Sequence, residues 1–253
     1  MKIKRLNLPI AQLSLMPDAE RTFLLMAGHI QNELVSLNKI FAWCLSNKEP
    51  ASRIESSVNG MQAFMIARLL AGKLNEGWQL VQRAYFKTKV SRELSPHLHE
   101  STNESLAGLK AYFNKKENII FSVRNSFSFH YSQEEIARHW QEAASEPNFD
   151  FYVGNEYGNT FHQASEIAVS LSLLKSIDSN SISSALEKFL VEVQHVAGLF
   201  NNFLSGVMLV LLERCFGGSV AHLGFDEEVS TTRGQDEISI PFFYVPPKRE
   251  TEA

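Results

Sequence analysis

Apolar residues recur in alternating steps of four and three from Phe23 through Ala27, Ile30, Leu34, Leu37 and Phe41 to Cys44. That heptad stripe is the seam of a helix lying along parallel or antiparallel neighbours. Pro17-Asp18 opens this helix, and it ends near Ser46, ahead of Pro50. A second stripe runs Ile54, Val58, Met61, Met65, Leu69, then shifts to Leu70, Leu74, Trp78, Val81, Tyr85. It predicts a long helix over residues 51–86, weakened by Gly60, Gly72 and Gly77, with a break or kink near 72–77. The clearest stripe is Ile182, Leu186, Phe189, Val193, Val196, Phe200, Phe203, Val207. Its helix starts from a serine N-cap at Ser181 or Ser183 and stops at Gly217-Gly218.

Between these seams, residues 87–100 form a connection broken by Pro96. Shorter helices are expected over 103–115, 117–130, 133–145 and 164–177. Residues 148–162 change character: a β-like run leads into Gly154-Asn155 and Gly158-Asn159, both turn signals. The expected fold is mainly α: a helical bundle of long heptad-striped helices with a small β-hairpin insertion. One domain over 1–225 holds the hairpin at about 148–162. An acidic, partly extended C-terminal tail follows over 226–253, and its apolar stretch 238–247 is suited to docking on a neighbour.

Composition narrows the class. Of 253 residues, 44% are hydrophobic and 21% charged, which excludes a disordered chain or a fibre. With 13 glycines and 8 prolines there are too few breakers for a turn-rich all-β protein. Two cysteines, Cys44 and Cys215, make neither a disulfide framework nor a zinc ribbon, and read as buried thiols in a reducing compartment. The net charge of −4 comes from the tail, where seven acids meet three bases. The rest is balanced, so the chain lacks the overall basic footprint of a general nucleic-acid binder but retains room for a local basic groove. The N-terminus has no apolar core of signal-peptide length. The longest apolar run, near residues 207–212, falls far short of the ~20 residues that span a bilayer. A cytoplasmic protein without membrane association is expected.

Glu192 and His195 have the E-x-x-H spacing of di-iron bundles, but no second copy exists, so neither a metal site nor a cofactor is expected. There is no G-x-S-x-G, Walker A or G-x-G-x-x-G motif. What remains is the segment FSVRNSFSFHY at 121–131, in which Arg124-Asn125 is followed by His130 and Tyr131. It resembles the R-x(4–6)-H signature of the HEPN superfamily, in which a polar residue, often Asn, follows the arginine. Arg92 to His97 meets the bare spacing too, but Glu93 follows that arginine and Pro96 interrupts it. The resemblance implies a small helical bundle, commonly a homodimer, acting as a metal-independent ribonuclease in a toxin, defence or stress system. RNA would be its substrate, and an antitoxin or other protein a further partner.

The residue types suit that chemistry. Cleaving RNA without a metal needs a base for the 2′-hydroxyl proton and an acid for the leaving 5′-oxygen, and His130 titrates in the useful range. Arg124 offers a planar cationic fork to the phosphate, and Asn125 orients phosphate or imidazole. Tyr131 stacks on a base or bonds the phosphate, and Lys115 and Lys116 supply phosphate-binding charge. Arg83, Lys87, Lys89 and Arg92 form a second basic stretch with no intervening acid. On a regular helix, however, Arg124 and His130 would stand about 120° apart. A bend at the motif, a cleft or a two-fold dimer would have to bring them together. The alternative function is a catalytically inactive helical protein binding a partner protein or nucleotide, with Arg124, Asn125 and His130 tied into a structural hydrogen-bond network.

Overall fold

A computed structural model describes residues 1–45, 52–128, 133–143, 150–220, 224–230, 238 and 240–245, except the side chains of 128 and 140–143. The protein is mainly α, as the stripes predict, with 74% of it helical. Short α1 (Ile10–Ser14) leads into α2 (Asp18–Cys44) and α3 (Arg53–Leu80). Then come α4 (Val90–Leu94), α5 (Glu100–Phe113), α6 (Ile119–Val123), α7 (Gln133–Ala143), α8 (Gln163–Ile177) and α9 (Ile182–Phe216).

The helix ends follow local chemistry. Ser52 Oγ accepts from the Glu55 N–H and Ser181 Oγ from the Ser184 N–H, satisfying donors that open α3 and α9. Gly217 ends α9 at φ 69°, the left-handed conformation glycine adopts without steric cost. α9 is the axis of the bundle, packed by α2, α3, α5 and α8. Its predicted stripe is buried from Phe189 through Val193, Val196, Phe200 and Phe203 to Val207. By length and composition α9 would also suffice to cross a membrane, but here that apolar face fills the core.

The second long helix differs from the sequence expectation. It runs unbroken through its glycines as one α-helix over Arg53–Leu80. Gly77 lets α3 lie close to its neighbours: a Cβ there would stand 3.3 Å from both Ile30 Cγ2 and Phe200 Cε1. The irregularity lies further on, where α3 widens into a π-helix over Val81–Phe86. This turn seats fully buried Tyr85 against Phe23, Phe203 and Phe86, with ring centroids 5.2–5.4 Å apart. Burial raises the Tyr85 phenol above its ordinary pKa.

The β structure is small. β1 (Lys2–Arg5) pairs antiparallel with β2 (Phe225–Glu228), setting Lys2 opposite Glu228 and Lys4 opposite Asp226. Arg5 Nη1 reaches Glu227 Oε1 at 2.7 Å. Opposite charges across the ladder hold the two ends of the chain together, so the start of the acidic tail belongs to a sheet. In the expected hairpin region the β pairing is a single antiparallel bridge, Tyr152 to Phe161, with a 3₁₀ turn at Tyr157–Asn159. The apolar part of the tail docks on this chain itself. Asn159 Nδ2 donates to the Tyr244 carbonyl at 2.7 Å, Tyr244 N–H donates to Asn159 Oδ1 at 2.9 Å, and Phe242 meets the Phe161 ring.

Candidate nucleic-acid interface

α6 is a short helix held by its surroundings. Asn118 Oδ1 accepts from the Phe121 N–H at 2.8 Å and caps its start. Glu192 of α9 accepts from the Tyr112 hydroxyl at 2.5 Å and from the Ile119 N–H at 3.4 Å. Tyr112 Oη also accepts from the Ile120 N–H. Burial first, and the Glu192 carboxylate second, push the Tyr112 phenol well above the tyrosine range. Glu192 thus ties α5, α6 and α9 together. Among the described residues no three His, Cys, Asp or Glu side chains gather as a metal site.

From Arg124 the backbone changes to a π-helix over Arg124–Ser128. The widened turn departs from a regular helix within the motif. His130 and Tyr131 themselves lie outside the described residues. Ile120, Val123 and Phe127 are buried, so Arg124 and Asn125 fall on the half-buried margin of this segment. Arg124 points to α3: its Nε and Nη2 donate to Glu76 Oε1 at 3.1 and 2.9 Å. Its Nη1 donates to Asn125 Oδ1 at 3.0 Å. A guanidinium has five N–H donors. Among the described residues, one N–H on each terminal nitrogen has no partner.

Asn125 turns toward a recess of about 650 Å³ whose lining also includes Lys115, Lys116, Asn118, Phe121, Ser122 and Ser126. Three sequence-predicted residues, Lys115, Lys116 and Asn125, therefore meet on one surface. Arg124 adjoins them through Asn125. Glu76 escaped the sequence reading, because nothing marks one carboxylate on a heptad-striped helix as the partner of an arginine 48 residues away. The competing motif is set apart. Arg92 lies exposed on α4 beside Glu93, and a 3₁₀ turn follows at Ser95–His97.

The protein is a mainly α helical bundle with a half-buried arginine beside a cationic recess. The chain matches no protein-family model, no curated protein and no solved structure.

Proposed function

We propose that the protein is a HEPN-like, metal-independent ribonuclease working in the cytoplasm as a homodimer, within a toxin, defence or stress system. The observation that carries this reading is the junction of the two predicted groups. Arg124, fixed by Glu76, bonds Asn125, and Asn125 opens on the recess lined by Lys115 and Lys116. Cations around a groove hold a phosphodiester, and a preset guanidinium meets charge as it builds on phosphorus.

In the proposed reaction one His130 takes the 2′-hydroxyl proton and the freed oxygen attacks phosphorus. The bond from phosphorus to the 5′-oxygen breaks, and His130 of the second copy gives that oxygen its proton. The products are a 2′,3′-cyclic phosphate and a 5′-hydroxyl. Arg124 binds the phosphate, Asn125 and Glu76 position Arg124, and Tyr131 contacts a base. The test is purified protein on total RNA in EDTA, wild type beside His130→Ala. Cleavage lost in the variant supports the reading, and equal cleavage by both overturns it.

One observation favours the alternative of a non-catalytic helical protein that binds a partner or nucleotide. The Arg124–Glu76 pair ties the π turn to α3, as a purely structural contact would. That alternative predicts no cleavage by either protein and a loss of stability when the pair is broken.

A further inference from the structure

Beside the Lys115–Lys116 recess lies a second one, of about 440 Å³, lined by Asn75, Trp78, Gln82, Arg83, Lys87 and Phe113. The two share Asn118 and Phe121 as a common wall. Phe121 is 51% exposed, although the other apolar residues of its helix pack on the core, Ile120 and Val123 fully buried and Ile119 partly. The exposed ring stands between two cationic recesses.

The charges are distributed to match. Arg83 and Lys87 border one recess, Lys115 and Lys116 the other. The acids on the rim are Glu117 and Glu192, and Glu192 is already engaged by Tyr112 and Ile119. The π-helix Val81–Phe86 turns Arg83 outward while seating Tyr85 in the core. Inside the second recess, Trp78 is held flat against Phe113, with centroids 5.0 Å apart and planes 9° apart. Asn75 also lines it, is only 4% exposed, and its Nδ2 has no hydrogen-bond partner among the described residues. A buried donor without an acceptor is costly, and the edge of a nucleobase presents carbonyl acceptors.

We infer that Phe121 is a base-stacking platform for single-stranded RNA, with successive phosphates held by Arg83 and Lys87 on one side and by Lys115 and Lys116 on the other. A stacked ring between cationic tracks is how sequence-tolerant single-strand binding is built. A duplex, whose bases are already stacked, gains nothing from such a ring. The inference rests on the reading that RNA is the substrate, and it names the form of RNA and the face that holds it.

The test is fluorescence anisotropy with a labelled 2′-O-methyl single-stranded oligonucleotide, which binds but has no free 2′-hydroxyl to attack. Phe121→Ala should weaken binding by about 5- to 150-fold, the effect of losing one stacked base. Phe121→Trp should retain binding, and circular dichroism should show both variants folded. Arg83→Ala with Lys87→Ala should lower the slope of log affinity against log salt by about 1.4. Phe121→Ala binding like wild type, duplex binding as tightly as the single strand, or no binding by wild type would each overturn the inference. Cleavage of total RNA in those cases leaves the ribonuclease reading standing. Phe121-dependent binding without any cleavage leaves the interface standing and ends the ribonuclease reading.

Discussion

Arg124 and Glu76 are joined through a single carboxylate oxygen, which accepts from both Nε and Nη2 of the guanidinium. The side-on grip fixes the plane of the guanidinium, because the two donors cannot both reach Oε1 if the ring of nitrogens rotates. The pair is half-buried, with 27% of the Arg124 side chain and 35% of the Glu76 side chain exposed. It is neither a solvated surface contact nor a sealed core pair. Its position, one residue from the recess that Asn125 lines, makes it the hinge of the functional reading.

Removing that grip separates catalysis from stability. Arg124→Ala is expected to lower RNA cleavage by about 10²–10⁴-fold. A pair this exposed contributes at most about 1 kcal/mol, so the melting temperature should fall by no more than about 4 °C. Arg124→Lys should rescue stability better than activity, since an ammonium lacks the planar fork. Cleavage assays beside thermal melts check this. A large drop in melting temperature with no catalytic effect would assign the pair to structure alone.

Gly206 of α9 lies tight against Thr102 of α5. A Cβ there would stand 2.1 Å from Thr102 Oγ1 and 2.7 Å from Thr102 Cγ2, and Thr102 is buried. Alanine favours helices more than glycine does, by about 1 kcal/mol. Gly206→Ala is nevertheless expected to destabilise, by about 1–3 kcal/mol from overpacking. Combining it with Thr102→Ala should recover most of that loss. Denaturant unfolding of both variants measures the effect, and a stabilised single variant would show that the helices are free to part.

Asp178, after α8, gathers Lys188 Nζ at 2.6 Å, the Asn180 N–H at 3.0 Å and the Ser184 hydroxyl at 3.3 Å. Lys188 first, then the Asn180 N–H, pull its carboxyl from the ordinary 3.8 to about 2. The folded value is lowered, so the stabilisation is complete above the unfolded value. It is lost as pH falls from about 3.8 through about 2. Acid unfolding followed by circular dichroism should therefore be flatter for Asp178→Asn than for wild type across that window. Identical acid profiles would remove Asp178 from the titrating groups that matter.

A composite ribonuclease site needs two copies of the motif, so the protein should be a two-fold dimer with the Arg124 segments at or near the interface. Light scattering at tens of micromolar is expected to give twice the chain mass. A monomer that still cleaves RNA would rule out the split arrangement of His130 while leaving Arg124 its role.

The long helices were legible in the sequence because burial on one side of a helix repeats along the chain. The stripes from Phe23 to Cys44 and from Phe189 to Val207 are continuous enough to give length, caps and inward face. The basic runs and the Arg124-Asn125 dipeptide were equally visible. Tertiary structure alone decided what those groups meet. Glu76 reaches Arg124, and Phe121 becomes a wall shared by two recesses, only because α6 docks on α3 and α9. Two further features follow no period of the sequence. The π turns at Val81–Phe86 and Arg124–Ser128 answer the need to seat Tyr85 and Phe127 in a core already filled by α9. The pairing of Lys2–Arg5 with Phe225–Glu228 joins segments more than 200 residues apart, whose attraction becomes local only after the bundle folds. A heptad states which side of a helix is buried, whereas only packing determines which neighbour buries it and which polar groups are thereby brought together.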